Sequence, residues 1–119
     1  EVYALFPILY DKRKQLAEQL SGGQRQQVAF GRAMMTKPSI MLLDEPTAGV
    51  SPIVMDEIFS NILDVRNAGM AVLMVEQNAQ QALKIADKGY VLVSGRNEHT
   101  GTGKELINNP EVRKKFLGG

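Results

Sequence analysis

The chain has 119 residues, of which 44% are hydrophobic and 23% charged, which is the balance of an ordinary globular domain with room for one core and not two. A formal net charge of +1 supplies no field that would draw the chain to nucleic acid or to an acidic surface, and the absence of cysteine excludes a disulfide framework and a thiolate metal site and fits a reducing compartment. The longest apolar runs, at 40–43 and 70–75, are too short to cross a bilayer and the first residues carry no targeting pattern, so any membrane association runs through a partner.

Along the chain, Tyr3, Leu5, Phe6, Ile8 and Leu9 are apolar with no element before them, and the abrupt start at Glu1 reads as a cut through a larger protein. Residues 24–35 place Val28, Ala29, Ala33 and Met34 at helical spacing, and Lys37-Pro38 supplies a basic last turn and a stop. Ile40 to Leu43 is a continuous apolar run closed by Asp44-Glu45-Pro46, the pattern of a fully buried parallel strand that delivers acids at its C-terminal edge. Ser51-Pro52 predicts a capped helix start, with Ile58, Ile62 and Val65 as its apolar stripe and an end near Gly69. A second buried strand over 71–75, a short helix with Ala79, Ala82, Leu83 and Ala86, and a break at Gly89 follow. This order of strand and helix implies an α/β fold with parallel pairing. Residues 90–93, the turn Ser94-Gly95-Arg96 and the polar run to Gly101 predict a marginal edge hairpin, with short helices over 104–108 and 111–116.

Two segments carry chemistry. Ser21-Gly22-Gly23-Gln24 stands just before a helix whose free N–H groups and dipole favour an anion. Glycine allows close approach of backbone to phosphate oxygens, and Ser21 can cap the helix or donate to a ligand. The plainer alternative is a capped helix start with ordinary turn residues. Asp44-Glu45 offers adjacent carboxylates on opposite sides of an extended backbone, so that one can hold Mg²⁺ and the other a water. The plainer alternative there is a solvated acid pair after a strand.

Together, Leu20-Ser21-Gly22-Gly23-Gln24 and Leu42-Leu43-Asp44-Glu45-Pro46-Thr47 resemble the signature and Walker B motifs of ABC ATPases. The resemblance runs over essentially the whole chain, with residues 1–37 similar to the end of the helical subdomain, signature included, and residues 38–119 similar to the second half of the catalytic core. It implies an ABC-type P-loop NTPase core of class α/β, truncated, with a mostly parallel sheet flanked by helices. It further implies ATP and Mg²⁺ as cofactors and a composite site. Asp44 would hold Mg²⁺ through water, Glu45 and Gln77 would be catalytic, and Ser21, Gly22, Gly23 and Gln24 would contact the ATP of a second ATPase subunit in trans.

Departures from the family pattern narrow the reading. Ser51 stands where the D-loop often has aspartate, and Gln77 stands where most members carry a switch histidine; glutamine can donate to a γ-phosphate but cannot become charged. Gln77 with the following Ala79-Gln80-Gln81-Ala82-Leu83 and Gly89-Tyr90-Val91-Leu92 is similar to one ATPase subunit of branched-chain amino-acid importers. That likeness implies permease subunits in the membrane, an indirect link to a solute-binding protein, and a peripheral position on the cytoplasmic face of the cell membrane, with no direct insertion and no nucleic acid. The other functions open to the resemblance are a nucleotide-gated clamp and a non-hydrolysing dimer partner. Against the clamp, residues 11–19 are short and charge-rich, without sustained heptads; against the non-hydrolysing partner, Glu45 is intact.

No Gly-x-x-x-x-Gly-Lys-Ser/Thr phosphate loop occurs in the 119 residues. Gly101-Thr102-Gly103-Lys104 is a decoy, because Glu98 stands at the first glycine position and Glu105 follows the lysine; a capped helix start accounts for it better. The resemblance therefore implies that the phosphate loop belongs to a preceding part and that this piece alone binds ATP weakly or not at all. Lys12-Arg13-Lys14 and Arg113-Lys114-Lys115 read as solvated faces, and the lone His99 receives no metal role.

Overall fold

The computed structural model describes residues 1–118, which fall into two compact units, residues 1–75 and residues 76 onward. The first contains α1 (Val2–Leu5), α2 (Pro7–Asp11), a 3-10 turn (Ala17–Gln19), α3 (Gly22–Met34), β1 (Ile40–Asp44), α4 (Pro52–Asn67) and β2 (Ala71–Val75). The apolar N-terminal residues thus find a use: Phe6, between the first two helices, is 2% exposed and its ring lies 6.4 Å from that of Phe30 on α3. Arg13, just past the end of α2, lies over the Tyr10 ring of that helix at 3.9 Å, so one member of the first basic triplet packs on an aromatic face.

Helix α4 follows its sequence signals closely. Ser51 caps it through a hydrogen bond accepted from Val54 N–H, Pro52 is its first residue, and Ile58, Ile62 and Val65 are buried as expected, joined by Phe59. Its chain leaves through Gly69 at φ 101°, a left-handed conformation that glycine adopts without a Cβ penalty.

Strands β1 and β2 pair in parallel, from Ile40 opposite Ala71 to Asp44 opposite Val75. The expectation of full burial is corrected here. Met41 is buried, whereas Ile40, Leu42, Leu73 and Val75 are exposed. Alternate side chains of a strand take opposite faces, and α4 packs against β2, so the apolar run supplies two faces of which this unit covers one.

The second unit contains α5 (Ala79–Ile85), β3 (Gly89–Val93), β4 (Arg96–Gly101), α6 (Gly103–Asn108) and α7 (Pro110–Phe116). The antiparallel β3–β4 hairpin forms as predicted, with a register shift between Val91 and Leu92. Its two-residue turn has Ser94 at φ 49° and Gly95 at φ 79°, the doubly left-handed geometry that matches strand twist. Leu83, Leu106 and Val112 make the core, with Val91, Ile107 and Leu117 around it. Asn109 caps α7 by accepting from Glu111 and Val112 N–H. On that helix the Lys115 ammonium, 2.9 Å from Glu111, holds the Glu111 carboxyl below its usual range and is itself raised. No helix among the described residues is long and apolar enough to cross a membrane.

Candidate functional site

The start of α3 is built by its own residues. Ser21 Oγ accepts from Gln24 N–H at 3.1 Å, and Ser21 N–H donates to Gln24 Oε1 at 3.1 Å, a reciprocal capping box. Ser21 is therefore seated as a helix cap while remaining exposed, and Gln24 is half-buried. Gly22 and Gly23 form the first turn, and both face α4: a Cβ on Gly22 would come within 3.3 Å of Val54 Cγ1, and a Cβ on Gly23 would overlap the Glu57 carboxylate. The two glycines keep this turn close to α4 whatever else it binds.

At the end of β1, Asp44 is exposed and Glu45 half-buried. The expected alternation of the two carboxylates on a continuous extended chain does not hold. Glu45 has φ 46°, which lies outside the strand region and is uncommon for a residue with a side chain. Its N–H still donates to Val75 O at 2.7 Å, so the chain turns sharply while the last rung of the ladder closes. Ala48 N–H then donates to Glu45 O at 3.1 Å, and the turn runs through Gly49 at φ 72° into Ser51 and α4. A strained residue at a strand edge that carries a reactive group type is a pointer to function.

These residues form two clusters within the first unit. A shallow groove is lined by Ser21, Gly23 and Gln24 from α3 and by Asp56, Glu57 and Asn61 from α4, among others; Asp44 and Glu45 are outside its lining. Inside this α3–α4 contact Gln27 Nε2 donates to Asn61 Oδ1 at 3.1 Å. Gln77 belongs to the second unit, with its side chain exposed. Its backbone is held by a residue the sequence reading passed over: Glu76 Oε1 accepts from both Gln77 N–H at 3.0 Å and Asn78 N–H at 3.2 Å. An acid immediately before a helix start was the available signal for that role.

Among the described residues no three His, Cys, Asp or Glu side chains gather as a metal cage. The acid pair fits Mg²⁺ in another sense. That ion is commonly held by one or two carboxylates while it keeps waters and phosphate oxygens, and Asp44 presents an exposed hard-oxygen donor at the strand edge. Gly101-Thr102-Gly103-Lys104 is a helix start, with Thr102 Oγ1 accepting from Glu105 N–H at 3.0 Å. His99 Nε2 lies 3.9 Å from Glu111 Oε2.

Comparison with known proteins agrees with this geometry. The family model described as ABC transporter matches residues 3–48. A high-affinity branched-chain amino acid transport ATP-binding protein, BraG of Pseudomonas aeruginosa, is 49% identical over all 119 residues, which span 51% of that protein. A probable branched-chain amino acid transport ATP-binding protein, LivF of Archaeoglobus fulgidus, is 43% identical over 95% of the chain and 48% of its own length. The crystal structure of an ATP-binding cassette of an ABC transporter in its ADP conformation superposes with a TM-score of 0.78 at 30% identity, covering 99% of this chain and 49% of that one. The chain thus spans about half the length of the relatives it matches.

Proposed function

Because the chain resembles the ATP-binding subunits of ABC transporters from end to end, we propose that it is part of an ATP-hydrolysing subunit that energises membrane transport, specifically the import of branched-chain amino acids. The observation that carries this reading is the 49% identity across all 119 residues to a transport ATP-binding protein, supported by the capped Ser21–Gln24 turn and the Asp44-Glu45 strand end. The intact protein works with a second ATPase subunit, with permease subunits in the membrane and, through them, with a solute-binding protein, as a peripheral subunit on the cytoplasmic face.

In this reading Asp44 holds Mg²⁺ through water; when bound, the ion neutralises charge on the phosphate oxygens. Glu45 orients the attacking water and accepts its proton. The exposed Gln77 amide donates to the γ-phosphate of ATP, with its backbone fixed by Glu76. Ser21, Gly22, Gly23 and Gln24 face the ATP held by the partner subunit and supply helix N-terminal N–H groups and a hydroxyl to its phosphates.

The test is Glu45→Gln in the intact protein assembled with its partners. Loss of a general base is expected to lower ATP turnover by about 10²–10⁴-fold while ATP binding persists, and leucine uptake into vesicles should fall with it. Unchanged turnover would refute the assignment of Glu45 as general base, whereas absence of turnover in the parent assembly itself would favour a non-hydrolysing role.

A further inference from the structure

The close approach of Glu57 to Gly23 has electrical as well as steric content. Glu57 lies in the second turn of α4, 34 positions from Gly23 in sequence. Its side chain runs along the Gly23 backbone: a Cβ built on Gly23 would be 3.4 Å from Glu57 Cβ and 3.1 Å from its Cδ, and would overlap Oε2. Helix α3 has no acidic residue in its own first turn. The negative charge that a helix N-terminus favours is thus delivered from a different helix. Asp56 lines the same groove, and no lysine or arginine does.

We infer that Glu57 is an internal counter-charge that tempers the binding of the partner's nucleotide phosphates at the Ser21–Gln24 turn. The inference rests on the reading of that turn as the trans phosphate contact. A carboxylate packed on Gly23 takes up part of the favourable field of the α3 N-terminus and opposes a second anion arriving there. Both effects raise the ATP concentration needed to close the composite site. Being exposed, the carboxylate acts through a screened interaction of modest size.

The experiment is an ATP titration of turnover by the assembled full-length transporter carrying Glu57→Gln, which keeps the shape and removes the charge. The KM for ATP is expected to fall about three-fold, the size of one charge at a helix terminus, with kcat changed less, and the shift is expected to shrink as salt is raised. Glu57→Ala, which removes contact and charge together, should lower KM in the same direction. A KM that is unchanged or raised in Glu57→Gln, or a shift indifferent to salt, overturns the inference. Ser21→Ala in the same titration separates the two levels. If it impairs turnover while Glu57→Gln does nothing, only the counter-charge falls; if Ser21→Ala is also silent, the trans-contact reading falls and the inference with it.

Discussion

At the scale of single residues, glycines divide into those read correctly from sequence and those whose reason lies elsewhere in the chain. The tetrad Gly101-Thr102-Gly103-Lys104 imitates the end of a phosphate loop, yet the Thr102 cap explains its hydroxyl. Gly103 is explained by packing, since a Cβ there would overlap the backbone carbonyl oxygens of Leu83 and Ala86. Backbone cannot swing aside as a side-chain tip can. Gly103→Ala is therefore expected to destabilise the protein by about 1–3 kcal/mol, read as a lower denaturation midpoint at unchanged slope. A residue that cradled phosphate would instead change ATP affinity. The capping role of Ser21 was legible because the cap and its Gln24 partner lie three residues apart. Glu57 against Gly23 was not legible, because nothing local announces a contact made across two helices. Glu45 shows a third case: its chemistry was legible from type and position, whereas its left-handed backbone was set by the need to close the β1–β2 ladder through Val75 while turning towards α4.

At the scale of elements, sequence predicted best where several signals coincide. For α4 the cap, the N1 proline, the apolar period and the terminal glycine agree, and the helix follows them. For β1 the apolar run gave the strand and its parallel sense correctly but overstated its burial. A continuous run states that both faces are apolar; it does not state that the same unit covers both. The contrast within α4 can be measured. Ile58 is 2% exposed and Ile53 is 75% exposed, so Ile58→Ala should cost about 2–5 kcal/mol through lost burial and a residual cavity. Ile53→Ala should stay within roughly 0.5 kcal/mol of the parent. Chemical denaturation of both variants checks this. Equal effects would mean that the outer face of α4 is covered in solution.

At the scale of the whole molecule, the composite-site reading and the exposed apolar strand face make linked demands. A P-loop site holds its nucleotide in a phosphate cradle of backbone N–H groups and a lysine, and these 119 residues contain no such loop. The acids Asp44 and Glu45 could contribute charge to such a site but cannot hold a triphosphate, being themselves anionic. The exposed side chains of Ile40, Leu42, Leu73 and Val75 lie along β1 and β2 with Leu42 opposite Leu73, Ile40 opposite Ala71 and Val75 opposite Asp44, a mainly apolar surface of the kind that seeks cover. Calorimetry with ATP and Mg²⁺ should accordingly show no measurable binding to the isolated 119-residue chain and clear binding to the intact protein. The isolated chain should also sediment as associated species, with Leu42→Lys and Leu73→Glu together shifting it towards monomer, because charged side chains at these facing positions are costly to bury in a stacked face. Tight ATP binding by the isolated chain would place the phosphate contacts within residues 1–119 and overturn the assignment of Ser21–Gln24 to a partner's nucleotide, since the chain would then complete a site by itself.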